Sequence, residues 1–101
     1  MDALRRLPNT WVFKVHGGPY QAAGVPDVLV LRHGVLFGIE LKRPGEVPTP
    51  LQQHQLDAIE RAGGRTAIIF TTTPTSEVIT WLVHSSARPA AETQSESMAV
   101  F

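Results

Sequence analysis

Two apolar runs, Asp27-Val-Leu-Val-Leu-Arg32 and Val35-Leu-Phe-Gly-Ile-Glu-Leu-Lys42, are separated only by His33-Gly34, and no other feature restricts the chain so strongly. Two β-prone runs around a glycine-containing dipeptide predict an antiparallel hairpin. With a two-residue loop, opposed residues have numbers that add to 67, so Asp27 stands directly across from Glu40. Directly opposed side chains share a face, with Cβ atoms about 5 Å apart. Lys42, two positions beyond Glu40, lies on that face too. The hairpin therefore gathers Asp27, Glu40 and Lys42, and the rest of their face is Leu29, Leu31, Leu36 and Gly38. Two like charges facing each other among apolar neighbours repel unless something offsets them. A divalent cation between them would do so, and oxygen ligands in a chain without cysteine favour magnesium or manganese over zinc.

The flanking sequence supplies the other elements. Thr10-Trp-Val-Phe-Lys-Val-His16 reads as a first strand, ended by Gly17, Gly18 and Pro19. The second run is apolar on both faces, which predicts a strand covered on both sides. Pro44-Gly45 stops the third strand. Thr49-Pro50-Leu51-Gln52 then carries the marks of a helix start: a capping threonine, proline at the first helical position and glutamine closing a capping box. That helix is expected to reach about Ala62 before Gly63-Gly64, with Leu56 and Ile59 on its buried stripe and Gln53, Asp57 and Glu60 in water. One turn back from Leu56, Gln52 points inward with the stripe. Thr66 to Thr71 reads as a fourth strand, and Thr73-Pro74 opens a last helix that buries Val78, Ile79, Leu82 and Val83. The expected architecture is α/β: a small mixed sheet of about four strands flanked by helices. Residues 1–84 form the domain, and 85–101, rich in Ser, Ala, Glu, Gln and Thr, read as a disordered tail.

At 101 residues and 43% hydrophobic the chain has room for one domain, and without cysteine it has neither disulfide nor thiolate zinc to staple it. Its apolar runs fall far short of the roughly 20 residues of a membrane span, and its start lacks the apolar stretch of a signal peptide. A cytosolic protein is the resulting expectation. Nine basic residues balance nine acidic ones. That balance argues against a protein whose task is to coat nucleic acid, although carboxylates beneath a cation would leave the remaining surface net positive.

A strand-borne carboxylate pair with a lysine suits metal-assisted phosphodiester hydrolysis, in which the cation lowers the pKa of a water and the lysine offsets charge on the phosphate. Gln52 projects toward the same region, where its amide can fix the water or the lysine. Gly24, just before the site, allows close approach of a backbone. Gly24-Val25-Pro26-Asp27, Glu40-Leu41-Lys42 after a hairpin, Gly45 and Thr49-Pro50-Leu51-Gln52 together resemble the VRR-NUC (virus-type replication-repair nuclease) branch of the PD-(D/E)XK nuclease superfamily. The likeness covers roughly Trp11 to Leu82 and implies the restriction-endonuclease-like αβββαβ core. It also implies a Mg²⁺- or Mn²⁺-dependent DNA endonuclease or exonuclease, with Asp27, Glu40 and the main-chain carbonyl of Leu41 as metal ligands, Lys42 as the catalytic lysine and Gln52 as the branch's accompanying glutamine. Small stand-alone members are similar to Holliday-junction resolvases in acting as homodimers on branched DNA, and are often phage-encoded. The family commonly carries an acidic residue on an N-terminal helix, where this chain has only Asp2.

Plainer readings stand beside these. Asp27 also suits a turn cap, Glu40 and Lys42 a charged edge strand, and Gln52 the capping box alone. Lys14 and Arg43 flank the proposed site and are the preferred phosphate contacts among scattered basic residues, and Tyr20 sits on a loop that would touch the DNA backbone. Trp11, Phe13 and Trp81 read as core or dimer contacts rather than base-stacking platforms. His16, His33, His54 and His84 lack metal-ligand spacing. The alternative to an enzyme is a non-catalytic or partner-dependent nuclease-fold subunit of a larger repair or restriction assembly.

Overall fold

The computed structural model describes residues 1–15 and 23–86. Its elements run α1 (Asp2–Arg5), β1 (Thr10–Lys14), β2 (Val28–Arg32), β3 (Val35–Lys42), α2 (Pro50–Arg61), β4 (Arg65–Phe70) and α3 (Thr75–Ser85). The four strands form one sheet in the order β1-β2-β3-β4, antiparallel except for the parallel pair β3 and β4. This is the small mixed α/β architecture expected from the sequence, with β3 interior rather than at an edge.

The hairpin takes its predicted register: Val28 pairs with Ile39, Val30 with Phe37 and Arg32 with Val35. His33 and Gly34 both adopt positive φ, 49° and 78°. Two successive left-handed residues give a turn whose twist matches that of the flanking strands, so the loop itself locks the pairing. Residues on one side of this hairpin (Val28, Val30, Val35, Phe37 and Ile39) are buried and join Leu4 of α1 and Leu82 of α3 in the hydrophobic core. Trp81 closes over Phe37, ring edge to ring face, with centroids 5.2 Å apart.

Helix α2 lies over the opposite face. Gly38 makes that approach possible, since a Cβ there would stand 2.9 Å from Ile59 Cδ1 and 3.1 Å from Pro26 Cγ. The helix begins as expected, with Thr49 accepting from the Gln52 N–H and both halves of the capping box formed. Among its residues Leu56 is buried, while Gln53, Asp57 and Glu60 face solvent.

Several expectations need correction. The second face of β2 is not covered throughout: Leu29 is half-buried and Leu31 is exposed, because the cover supplied by α2 stops short of that end. Trp11 and Phe13 are exposed and stack on each other with centroids 5.6 Å apart, so neither belongs to the core. Val83 faces out while Val78 and Ile79 are half-buried, which narrows the α3 stripe to one side. The fold also extends past residue 84. Ser85 ends α3, and the buried Ser86 accepts from Arg32 Nε at 3.2 Å and donates to the Val83 carbonyl. The remainder of the proposed tail, 87–101, lies outside the described residues. No helix among the described residues is long and apolar enough to cross a membrane.

Candidate active site

The site is assembled where β2 begins, β3 ends and α2 starts. The hairpin register carries Asp27 to the position opposite Glu40, one step beyond the Val28–Ile39 pair that ends the ladder. The Asp27 carbonyl accepts from the Val15 N–H at 2.8 Å, and its carboxylate Oδ2 accepts from the Leu41 N–H at 2.8 Å. In a strand the N–H and C=O of one residue face the same side. The Leu41 carbonyl is therefore directed toward the Asp27 side, whereas the next carbonyl, that of Lys42, faces β4 and accepts from the Thr71 N–H.

Glu40 is 1% exposed. Its Oε1 accepts from Gln52 Nε2 at 3.4 Å, and its Oε2 is buried without a hydrogen-bond partner. Burial is the largest cause that raises the Glu40 pKa from 4.5 to about 7; a hydrogen bond to Asp27 and the charge of Asp27 add to the rise, and Lys42 opposes it. Two ionised carboxylates have no proton to share, so the hydrogen bond between them exists only when a carboxyl proton is present. Without that proton, Oε2 requires another positive partner.

Gln52 joins the remaining groups. Its Oε1 accepts from Lys42 Nζ at 2.8 Å and from the Thr49 N–H at 2.9 Å. The expected capping role and the expected site role thus belong to one amide. A lysine ammonium and a carboxylate are held on either end of it, within a region that α2 partly shields from water. An apolar cavity of about 200 Å³ bounded by Leu4, Val28, Ile39 and Val78 lies on the opposite, core face and has no carboxylate in its lining.

The other candidates distribute unevenly. Arg43 follows β3, exposed, with its N–H bonded to Glu46 Oε1 at 2.6 Å. Lys14 pairs with Val28 and so belongs to the core-face row, exposed at its end of the sheet rather than aimed along the face of Asp27 and Glu40. The close approach that Gly24 permits is made to the first turn of α2, not left open to a ligand. Tyr20, His16 and the Gly17-Gly18-Pro19 segment lie outside the described residues. No group of three or more His, Cys, Asp or Glu that could hold a metal is gathered among the described residues, so Asp2 of α1 does not join Asp27 and Glu40. Across the parallel β3–β4 ladder Ile68 pairs with Glu40 and Phe70 with Lys42, and Phe70 also lines the core-face cavity. A parallel register set by a long crossover leaves no mark in the sequence comparable to a two-residue turn.

Neither family models, nor curated proteins, nor solved structures yield a match to this chain.

Proposed function

We propose that the chain is a divalent-metal-dependent DNA nuclease of the VRR-NUC type, a cytoplasmic homodimer that hydrolyses phosphodiester bonds in branched or otherwise structured DNA. The observation that carries this reading is Glu40: a carboxylate 1% exposed, opposite a second carboxylate, with one oxygen that no donor reaches. Apolar residues would satisfy the fold at lower cost, because burying an unpaired charge opposes folding. Glu40 Oε2, the Asp27 carboxylate and the Leu41 carbonyl form an all-oxygen donor set that fits Mg²⁺ or Mn²⁺.

A cation held there would supply Lewis-acid polarisation of a phosphate oxygen and a bound water of lowered pKa. The chain's own residues do the rest. The Leu41 N–H holds Asp27 in place from behind, through Oδ2. The Gln52 amide restrains Glu40 with its nitrogen and Lys42 with its oxygen, so that the Lys42 ammonium is presented beside the carboxylates to offset charge gathering on the phosphate. Arg43, exposed just after Lys42, is placed to meet a neighbouring phosphate. The exposed apolar strip of Trp11, Phe13, Leu31 and Leu36 supports the homodimer, because a contiguous patch of this kind is more common at contacts between chains than on a solitary surface.

The test is cleavage of labelled four-way junction, flap, duplex and single-stranded DNA with Mg²⁺, Mn²⁺ or EDTA, beside Lys42→Ala. Metal-dependent products are expected, with the junction or flap preferred, and the variant should lose at least about a hundredfold in rate. Failure of the folded chain to cut any substrate with either metal would remove the catalytic reading and leave the partner-dependent subunit.

A further inference from the structure

Gln52 owes its orientation to residues that touch neither carboxylate. Its Oε1 has two donors, Lys42 Nζ and the Thr49 N–H, which fixes the oxygen end of the amide and leaves Nε2 toward Glu40. Thr49 Oγ1 in turn accepts from the Gln52 N–H at 3.2 Å, closing a ring between cap and side chain. The turn that carries this ring is seated on Gly24. A Cβ at Gly24 would stand 2.5 Å from the Leu51 carbonyl oxygen, 2.6 Å from its carbon and 2.9 Å from the Gln52 nitrogen. Those atoms are all backbone and cannot swing aside, and the φ of +84° at Gly24 is itself unfavourable for any residue with a Cβ. Three residues further along the same segment stands Asp27, anchored by Val15 and Leu41. The backbone contact between Gly24 and α2 therefore sets the separation between the segment that bears Asp27 and the helix that bears Gln52.

We infer that Gly24 and Thr49 are positioning residues. Together they hold the Gln52 amide on Glu40 Oε1 and Lys42 Nζ, so that Glu40 Oε2 is the atom left for a ligand. Only the consequence for metal affinity rests on the nuclease reading; the geometry belongs to the chain by itself. A glutamine has three rotatable side-chain torsions, and a cap that shares its acceptor oxygen with a lysine removes much of that freedom. A threonine that merely stabilised the helix would alter the melting temperature and leave the amide where it was.

The experiment follows the Gln52 side-chain amide by ¹⁵N NMR in the full chain, with the signal assigned by its loss in Gln52→Ala, and measures Mn²⁺ affinity by water-proton relaxation. In the wild type the amide pair should be shifted and slow to exchange. Thr49→Pro suits the φ of −68° at this position and removes the N–H from which Gln52 Oε1 accepts, so it should move the amide toward the position of a solvated glutamine, whereas Thr49→Ala keeps that N–H and should leave the amide near its wild-type position. Mn²⁺ affinity should fall about tenfold in Thr49→Pro, a typical effect of losing a partner that orients a ligand. In the Gln52→Ala background the same substitution should add nothing, because both act through one side chain. Gly24→Ala should reproduce the Thr49→Pro amide shift wherever it folds, and the Thr49 variants decide the matter if it does not. An unmoved amide in Thr49→Pro overturns the inference, as does a loss of affinity that adds in full to that of Gln52→Ala. Should the amide move as expected while the wild type binds no Mn²⁺, the positioning role stands and the metal reading falls.

Discussion

Phe37 and Glu40 stand three positions apart on β3 and are closed off from solvent to nearly the same degree, 0% and 1% exposed, on opposite faces of the sheet. Phe37 meets Trp81 and the apolar core, so its burial stabilises the fold by removing hydrocarbon from water. Glu40 meets Gln52 on one oxygen and no donor on the other, so its burial works against the fold. A chain of this size sustains the second only because the first is nearby on the same rigid strand. The core face supplies stability and a fixed frame, and on the other face that frame holds a destabilising group in one orientation.

The largest test of this contrast is Phe37→Ala, expected to cost about 3–5 kcal/mol in urea unfolding because it removes a ring from a closed core. A cost near 1 kcal/mol would mean that the core face is not the frame. Next comes Glu40→Gln, expected to raise stability at pH 8 by roughly 2–3 kcal/mol without metal, the direction and size set by the rise of the Glu40 pKa to about 7. The sign follows from proton uptake on folding. Below about pH 4.5 the carboxyl is protonated in both states; between about 4.5 and 7 only the folded chain keeps its proton, so wild-type stability falls as pH rises through that window. Glu40→Gln carries no such group, and its amide offers Asp27 the donor that is missing. Unfolding curves at pH 4, 6 and 8 for both proteins check this, and parallel pH profiles would show that Glu40 titrates normally. The smallest effect belongs to the bare end of the second face. Trp11→Ser should change monomer stability by no more than about 0.5 kcal/mol, as expected of an exposed position. Sedimentation of the same variant should show fewer of the proposed dimers; an unchanged dimer population would place the contact elsewhere, and a wild type that sediments as a monomer would remove the homodimer from the proposal.

Legibility in the sequence followed loop length. Between β2 and β3 the two-residue turn couples His33-Gly34 to a single register, so the opposition of Asp27 and Glu40 could be read thirteen residues apart with no knowledge of the remainder. The α2 start was equally open, because Thr49, Pro50 and Gln52 act within one turn. The β1–β2 register is hidden behind the long segment from Val15 to Asp27, so nothing local in the sequence shows that Lys14 pairs with Val28 and falls on the other face. The same gap explains Trp11 and Phe13, whose β-prone character is visible while their exposure depends on how far α2 extends over the sheet.

By itself, then, the order of residues determined the hairpin, the capped helix, the α/β class and the convergence of Asp27, Glu40, Lys42 and Gln52, all of which rest on contacts local in the chain or locked by a short turn. Tertiary structure alone decided that Glu40 is sealed with one oxygen orphaned, that Gly24 is spent on the backbone of Leu51 and Gln52, and that Arg32 reaches across to Ser86. Each of these depends on where α2 and α3 come to rest against the sheet, and that is set by the packing of many side chains at once rather than by any segment read alone.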